Sequence, residues 1–268
     1  MRPAPRVLIN TPDIELWPGG LLRARGSRDA RALSRATTVL RRKRDGAYLA
    51  ADLPEGLLPL VPWLVHEPGL DVALAGLAAG AHARLRPVGS ASIATLPLHR
   101  VQARLQALGI DEHAYADRTG LAPVAEPALL AFAGRDRYRR PLWLLPDAAR
   151  AWTRLQAAAR TGGVVLEAIS GYRSHDYQLG IVERKRALGL SLDEILTVNA
   201  APGYSEHHGG RALDIGTPDE PPAEASFADT PTHAWLQQHA GAHGFVLSYP
   251  EGNPHGIVHE PWHWCFRG

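Results

Sequence analysis

The chain has 268 residues, with 29 Lys or Arg against 27 Asp or Glu, a formal charge of +2, and 45% apolar and 21% charged residues. Such a length suits two domains and can bury a core without covalent staples. The near-balance of charge gives the chain as a whole no reason to seek a polyanion, and Cys265, the only cysteine, allows no disulfide within the chain. Pro59, Pro62, Glu67, Pro68 and Asp71 interrupt the apolar stretches around 57–65 and 70–81, so neither is a membrane span.

The basic N-terminus, from Met1 to Asn10, carries no apolar run of signal-peptide length, which leads to the expectation of a cytoplasmic protein. The first fifty residues hold eleven Lys or Arg and four Asp or Glu, densest at Arg41-Arg42-Lys43-Arg44. A nucleic-acid patch would need aromatic interleaving that is absent here. The preferred reading is a solvated hairpin, Thr37–Leu40 and Ala47–Ala50 around a turn at Asp45-Gly46. Residues 1–98 are expected to form a small mixed or β-rich module of unread function, with helical pieces near 71–84.

From residue 99 to 268 a second domain is expected. Leu98, Val101, Leu105 and Leu108 recur at helical spacing and Gly109 stops them. Pro146 and Asp147 open a helix with Asp147 as cap and Trp152, Leu155 and Ala159 on one face, ended at Gly162-Gly163. Residues 164–169 read as a strand. Ser174 caps a helix carrying Leu179, Val182 and Leu188, and Ser191 with Glu194 forms a capping box for the next. Strands are expected at 211–215, 245–249 and 258–266, and a helix at 232–243. Strands and helices do not alternate regularly, so the expected class is α+β with a mostly antiparallel sheet.

Two segments carry the chemistry. In Ser205-Glu206-His207-His208-Gly209-Gly210-Arg211-Ala212-Leu213-Asp214, a strand over 211–215 would put Asp214 and the small Ala212 on one face, with His207 folded back across the two glycines. In Glu260-Pro261-Trp262-His263-Trp264, a strand would turn His263 away from an aromatic face made by Trp262 and Trp264, with Glu260 three residues earlier. Alone, each fits a capped loop or a satisfied core histidine. Together they offer two imidazoles and a carboxylate for one zinc ion with a position left open, and a free carboxylate nearby as general base. A third segment, Ser170 to Gln178, places Arg173 at a strand-to-helix junction, where its forked donors could face an oxyanion. His208, His255 and His259 are near enough in sequence to replace a named ligand.

These segments resemble the zinc D-Ala-D-Ala carboxypeptidases of the VanY type, which include L,D-carboxypeptidases. The family's Ser-x-His-x-x-Gly-x-Ala-x-Asp matches Ser205, His207, Gly210, Ala212 and Asp214; its Glu-x-Trp-His matches Glu260, Trp262 and His263; its Ser-Gly-Tyr-Arg-Ser matches Ser170 to Ser174, with Gln178 four residues on. The resemblance covers roughly residues 100 to 268 and implies a Hedgehog/D,D-peptidase-like zinc domain with flanking helices. It implies zinc held by His207, Asp214 and His263, Glu260 as general base, Arg173 on the oxyanion, and a substrate site drawing on Ser205, Gln178, Tyr204, Ser174 and Trp262. The implied activity removes a C-terminal D-alanine from peptidoglycan-type peptides, D,D or L,D. A D,D-dipeptidase, a wall-peptide endopeptidase and a non-catalytic zinc-containing binding module are the alternatives. Family analogy also allows a periplasmic or extracellular location. No nucleic-acid partner is expected. The sequence departs from the family at Cys265-Phe266-Arg267, where a basic residue and Tyr are expected directly after His-Trp.

Overall fold

The computed structural model describes residues 6–82, 94–98 and 100–268. The chain divides into two compact units, residues 1–96 with 127–132 and residues 97–126 with 133–268. Strand pairings in both are antiparallel.

The first unit contains β1 (Val7–Asn10), β2 (Ile14–Pro18), helix α1 (Ser27–Leu33), β3 (Thr38–Arg42), β4 (Tyr48–Leu53), β5 (Gly56–Pro59) and helix α2 (Leu70–His82). The helix expected at 71–84 is α2; its last two positions lie outside the described residues, as do the first five residues of the chain. The sheet runs β5-β4-β3-β2-β1, and residues 129–131 of a later strand pair with β1. Ile14, Leu16, Leu40, Leu49 and Ala50 bury against Leu64 and Ala73. The basic hairpin is present as β3 and β4, longer than its sequence reading. Three of its four basic side chains are paired or buried, and Arg44 is exposed. Arg41 Nη1 donates to Glu15 Oε2 at 2.6 Å, Arg42 pairs with Asp45 and Glu67, and Lys43 is buried.

In the second unit, α3 (Val101–Leu108) ends at Gly109 as the spacing predicts, but Leu98 lies outside it. Helix α4 (Glu112–Thr119), absent from the sequence reading, is capped by Asp111, which accepts from the Ala114 N–H at 2.8 Å. Strand β6 (Leu129–Arg135) begins in the first unit and ends in the second, where a turn held by Asp136 leads to β7 (Pro141–Leu144). Helix α5 (Pro146–Thr161) buries Trp152, Leu155 and Ala159 as expected. Its cap position is Leu145, and Asp147 sits in the first turn paired with Arg150, because Pro146 already occupies the first helical position.

Strand β8 (Glu167–Ser170) starts three residues later than expected. Helices α6 (His175–Ala187) and α7 (Leu192–Val198) carry the Ser174 cap and the Ser191–Glu194 capping box. Strand β9 (Ala212–Gly216) is buried along its whole length. Helix α8 (Pro231–His239) gives way to a 3-10 turn at Ala240–His243. Strands β10 (Phe245–Leu247) and β11 (His263–Phe266) are shorter than expected. The Glu260–His263 segment is a turn, closed by the His263 N–H on the Glu260 carbonyl at 3.0 Å, so Trp262 and Trp264 do not share a strand face. The sheet order is β10-β11-β9-β8. Helices α3, α4, α6 and α7 pack with Tyr204, Tyr249 and Ile257 into one core.

Leu105 is fully buried in that core, and its replacement by Ala should cost about 2–5 kcal/mol. Gly203 has φ +94°, and a Cβ there would stand 2.6 Å from Val101 Cγ1. Gly203→Ala should therefore lose more than about 1 kcal/mol. Denaturant unfolding followed by tryptophan fluorescence checks both; losses below about 0.5 kcal/mol would contradict this packing.

Candidate metal centre and active-site cavity

Strand register does most of the assembly. Asp214 on β9 lies directly opposite His263 on β11, and on its other side opposite Ser170 on β8. A bulge between Ala168 and Ser170 adjusts that edge. His207 comes from a 3-10 turn, Glu206–Gly209, which Gly210 at φ +65° turns into β9. The turn is pinned to the strand-to-helix junction before α6: Arg173 N–H donates to the His207 carbonyl at 3.3 Å, and His207 Nδ1 lies 2.8 Å from the Gly171 carbonyl oxygen. A carbonyl only accepts, so Nδ1 carries the proton and Nε2 keeps its lone pair.

That nitrogen lies 3.3 Å from Asp214 Oδ1, and His263 Nδ1 lies 3.2 Å from the same oxygen. His207, Asp214 and His263 are all buried, and each presents a ligand atom within 4.8 Å of the other two. Two imidazole nitrogens and one carboxylate oxygen suit a zinc ion with a vacant fourth position. The electrostatics fit a cation as well. Burial alone would lower the His263 imidazole, but its hydrogen bonds to Asp214 and Glu206 push it up to about 10. Burial and the Arg173 charge bring His207 down to about 4, so it is a neutral donor. Burial opposes ionisation of Asp214, yet the Arg173 charge and the hydrogen bond from His263 hold it well below the usual carboxylate range.

Glu260 Oε2 stands 3.9 Å from His263 Nδ1, and burial pushes its carboxyl up to about 7. Arg173 pairs with Asp214 and donates from Nε to Ser170 Oγ at 2.8 Å. Gln178, Ser205 and Trp262 join Arg173, Glu260 and the triad around one cavity of about 660 Å³. Gln178 Nε2 donates to the Ala200 carbonyl at 2.9 Å, and its Oε1 is buried with no partner among the described residues.

Two expected site residues are placed elsewhere. Tyr204 is buried in the helical core, edge-on to Tyr115, with its hydroxyl on Glu112; burial, aided by that carboxylate, pushes it up to about 12. Ser174 accepts from the Tyr177 N–H at 3.1 Å and serves as the cap of α6. The other histidines are accounted for. His208 Nδ1 meets the Arg173 carbonyl oxygen at 2.7 Å and its Nε2 accepts from the Gly203 N–H; His255 meets the Thr119 carbonyl oxygen; His259 is part-exposed near Glu251. Cys265 faces Ala212, and burial pushes its thiol up to about 12, so it packs rather than ligates.

Sequence reasoning missed Glu206. Its Oε2 lies 3.0 Å from His263 Nε2, and its other oxygen pairs with Arg267. Its position beside His207 in the motif was the available signal, but no spacing rule links it to His263. A carboxylate on the outer nitrogen of a ligand imidazole fixes its tautomer and orientation. Glu206→Gln should therefore weaken zinc binding roughly 10–100-fold in a chelator competition. Unchanged affinity would show that Glu206 does not orient His263.

Residues 142–268 match the family model of VanY, D-alanyl-D-alanine carboxypeptidase. The chain is 34% identical over 130 residues to the putative carboxypeptidase YodJ of Bacillus subtilis (strain 168), covering 47% of each chain. It is 30% identical over 135 residues to the bifunctional D-Ala-D-Ala dipeptidase and D-Ala-D-Ala carboxypeptidase VanXYC of Enterococcus gallinarum, covering 47% of this chain and 68% of that one. Among solved structures, the LdcB LD-carboxypeptidase shows 32% identity over 47% of this chain and 60% of that one, with a TM-score of 0.44. The chain spans 47% of YodJ and 38% of a D-alanyl-D-alanine carboxypeptidase of Enterococcus faecium. With the triad, the adjoining carboxylate and the matched segment in agreement, this chain belongs to the VanY family of D-alanyl-D-alanine carboxypeptidases.

Proposed function

We propose that the chain is a zinc-dependent carboxypeptidase that removes a C-terminal D-alanine from peptidoglycan-type peptides, in a D,D or L,D sense. One observation carries the reading: Glu260 stands 3.9 Å from the His263 nitrogen that also faces Asp214, inside the same cavity. His207 Nε2, Asp214 Oδ1 and His263 Nδ1 are the proposed ligands. Zinc bound there supplies a Lewis acid for the scissile carbonyl and lowers the pKa of a water toward about 7.

Glu260, pushed up to about 7 by burial, takes the proton of the attacking water and hands it to the leaving amine. Arg173 gives one N–H to Ser170 and another to Asp214, and the remaining donors of its fork stabilise the developing oxyanion. The unpartnered Gln178 Oε1 can only accept, so it takes a substrate N–H, while the Ser205 hydroxyl can donate to the terminal carboxylate. Trp262 forms an apolar wall. Residues 97–126 with 133–268 make the catalytic body, and the first unit has no assigned part in the reaction.

The test is mass spectrometry of defined wall peptides with zinc-loaded protein. The set comprises a pentapeptide ending D-Ala-D-Ala, a tetrapeptide ending diaminopimelate-D-Ala or L-Lys-D-Ala, and free D-Ala-D-Ala. Loss of one terminal alanine is expected, and the substrate that loses it fixes D,D or L,D. Glu260→Gln should keep its zinc and lose roughly 10²–10⁴-fold in kcat. Near wild-type turnover in that variant would remove Glu260 from its role, and internal cleavage would replace the exopeptidase by an endopeptidase.

A further inference from the structure

Glu126 precedes the segment matched by the family model, residues 142–268, and it does not line the cavity. It is buried, and both of its carboxyl oxygens serve one turn of the site. Oε1 accepts from the His175 N–H at 2.9 Å, and Oε2 accepts from the Tyr172 hydroxyl. Tyr172 and His175 flank Arg173 and Ser174, so a single carboxyl group grips both ends of the turn that carries Arg173 to the cavity. The His175 ring adds to the hold. Its Nδ1 lies 3.6 Å from Glu126 Oε1, and its Nε2 lies 2.8 Å from the Val124 carbonyl oxygen, to which it donates because a carbonyl only accepts.

These contacts close on themselves. Val124 N–H donates to the Gly203 carbonyl at 2.7 Å, Gly203 N–H donates to His208 Nε2 at 3.1 Å, and His208 Nδ1 donates to the Arg173 carbonyl at 2.7 Å. The rings of His175 and His208 meet edge-on with centroids 4.4 Å apart. All of these residues belong to the second unit. Between Ser170 and His175 the chain is neither helix nor strand, so side-chain and loop contacts fix its backbone in place of a ladder. Arg173 carries the oxyanion role in the proposed reaction, and a misplacement of about 1 Å at such a group can cost about a hundredfold in rate.

Resting on the carboxypeptidase reading, we infer that Glu126 is a positioning residue of the reaction: it holds the 172–175 turn so that Arg173 keeps its place beside Asp214. It acts through Arg173, from a part of the chain 46 residues before Tyr172.

The experiment measures kcat and KM on a defined wall peptide that the wild-type protein cleaves, beside hydrogen–deuterium exchange of residues 171–177. Glu126→Ala should lower kcat roughly 10- to 100-fold with KM within about threefold, and should speed exchange in that segment by about tenfold or more. Glu126→Gln should restore most of the rate and the protection, because its amide oxygen still accepts from His175 and its amide N–H can donate to the Tyr172 oxygen. In an Arg173→Met background the Glu126→Ala step should cost less than about twofold more, since both changes remove one interaction. Zinc content and thermal unfolding establish that the variants are folded. Where Glu126→Ala does not fold, Tyr172→Phe removes one of the two attachments, with a kcat loss of roughly three- to tenfold expected. Undiminished kcat in Glu126→Ala, or in Tyr172→Phe where it stands in, overturns the inference. So does a Glu126→Gln variant no better than Glu126→Ala, and so does full additivity with Arg173→Met. If the wild-type protein cleaves no wall peptide, the carboxypeptidase reading falls and exchange alone decides the positioning. Unchanged protection in Glu126→Ala then overturns it, and lost protection that Glu126→Gln restores retains it.

Discussion

The site depends on one strand register, the antiparallel pairing that sets Asp214 of β9 opposite His263 of β11. A slip of one residue would send one of the two side chains to the other face of the sheet. Burial of every residue in both strands protects the register, because any slip would also exchange packed side chains throughout the ladder. His207 is not on the sheet, yet its geometry is equally constrained. Its ring is anchored on the Gly171 carbonyl and its own carbonyl on the Arg173 N–H, so the turn before β9 and the loop before α6 hold one another. The proposed ligands are positioned by backbone pairing before any ion is considered, the condition under which a site binds a metal without first paying to reorganise.

Charge supplies the second constraint. Asp214, Glu206 and Glu260 bring three carboxylates into a small buried volume, answered by Arg173 on one side and Arg267 on the other. Burial would lower the His263 imidazole, but its hydrogen bonds to Asp214 and Glu206 push it up to about 10. Glu260 is the exception. Among the described residues it has neither an arginine partner nor a short hydrogen bond, and burial pushes it up to about 7. A carboxylate with that affinity for protons, next to the His263 nitrogen that faces Asp214, is suited to shuttle one at neutral pH. Where the family pattern leads to a basic residue just after His-Trp this chain has Cys265, and Arg267, two positions later, pairs with Glu206.

The chemistry was more legible than the geometry that delivers it. Coordination and proton transfer demand particular residue types, so His207, Asp214, His263 and Glu260 stood out by identity and spacing. Helix caps were legible for the same reason at Ser174 and Ser191, whose side chains satisfy orphan N–H groups. Asp147 was misread because Pro146 fills the first helical position, and α4 was missed although Asp111 and Gly120 bracket it, because its apolar face is small. Tyr204 and Ser174 were assigned to substrate because a motif says which residues recur, not which way they point. Trp262 was read onto one strand face with Trp264 because alternation was extended through Pro261, where the chain turns. Glu206 reaches His263 through tertiary proximity alone, across 57 residues, and no local pattern encodes that. The crossing of residues 127–132 into the first unit is also a tertiary event with no compositional mark.

The most direct test of this account is the zinc anomalous signal in crystals of the metal-loaded protein. The account predicts one strong peak per chain at bonding distance, about 2.0–2.2 Å, from His207 Nε2, Asp214 Oδ1 and His263 Nδ1, with Glu260 outside that distance. A peak on Cys265, His208 or His259 instead, or one ligated by Glu260 itself, would contradict it.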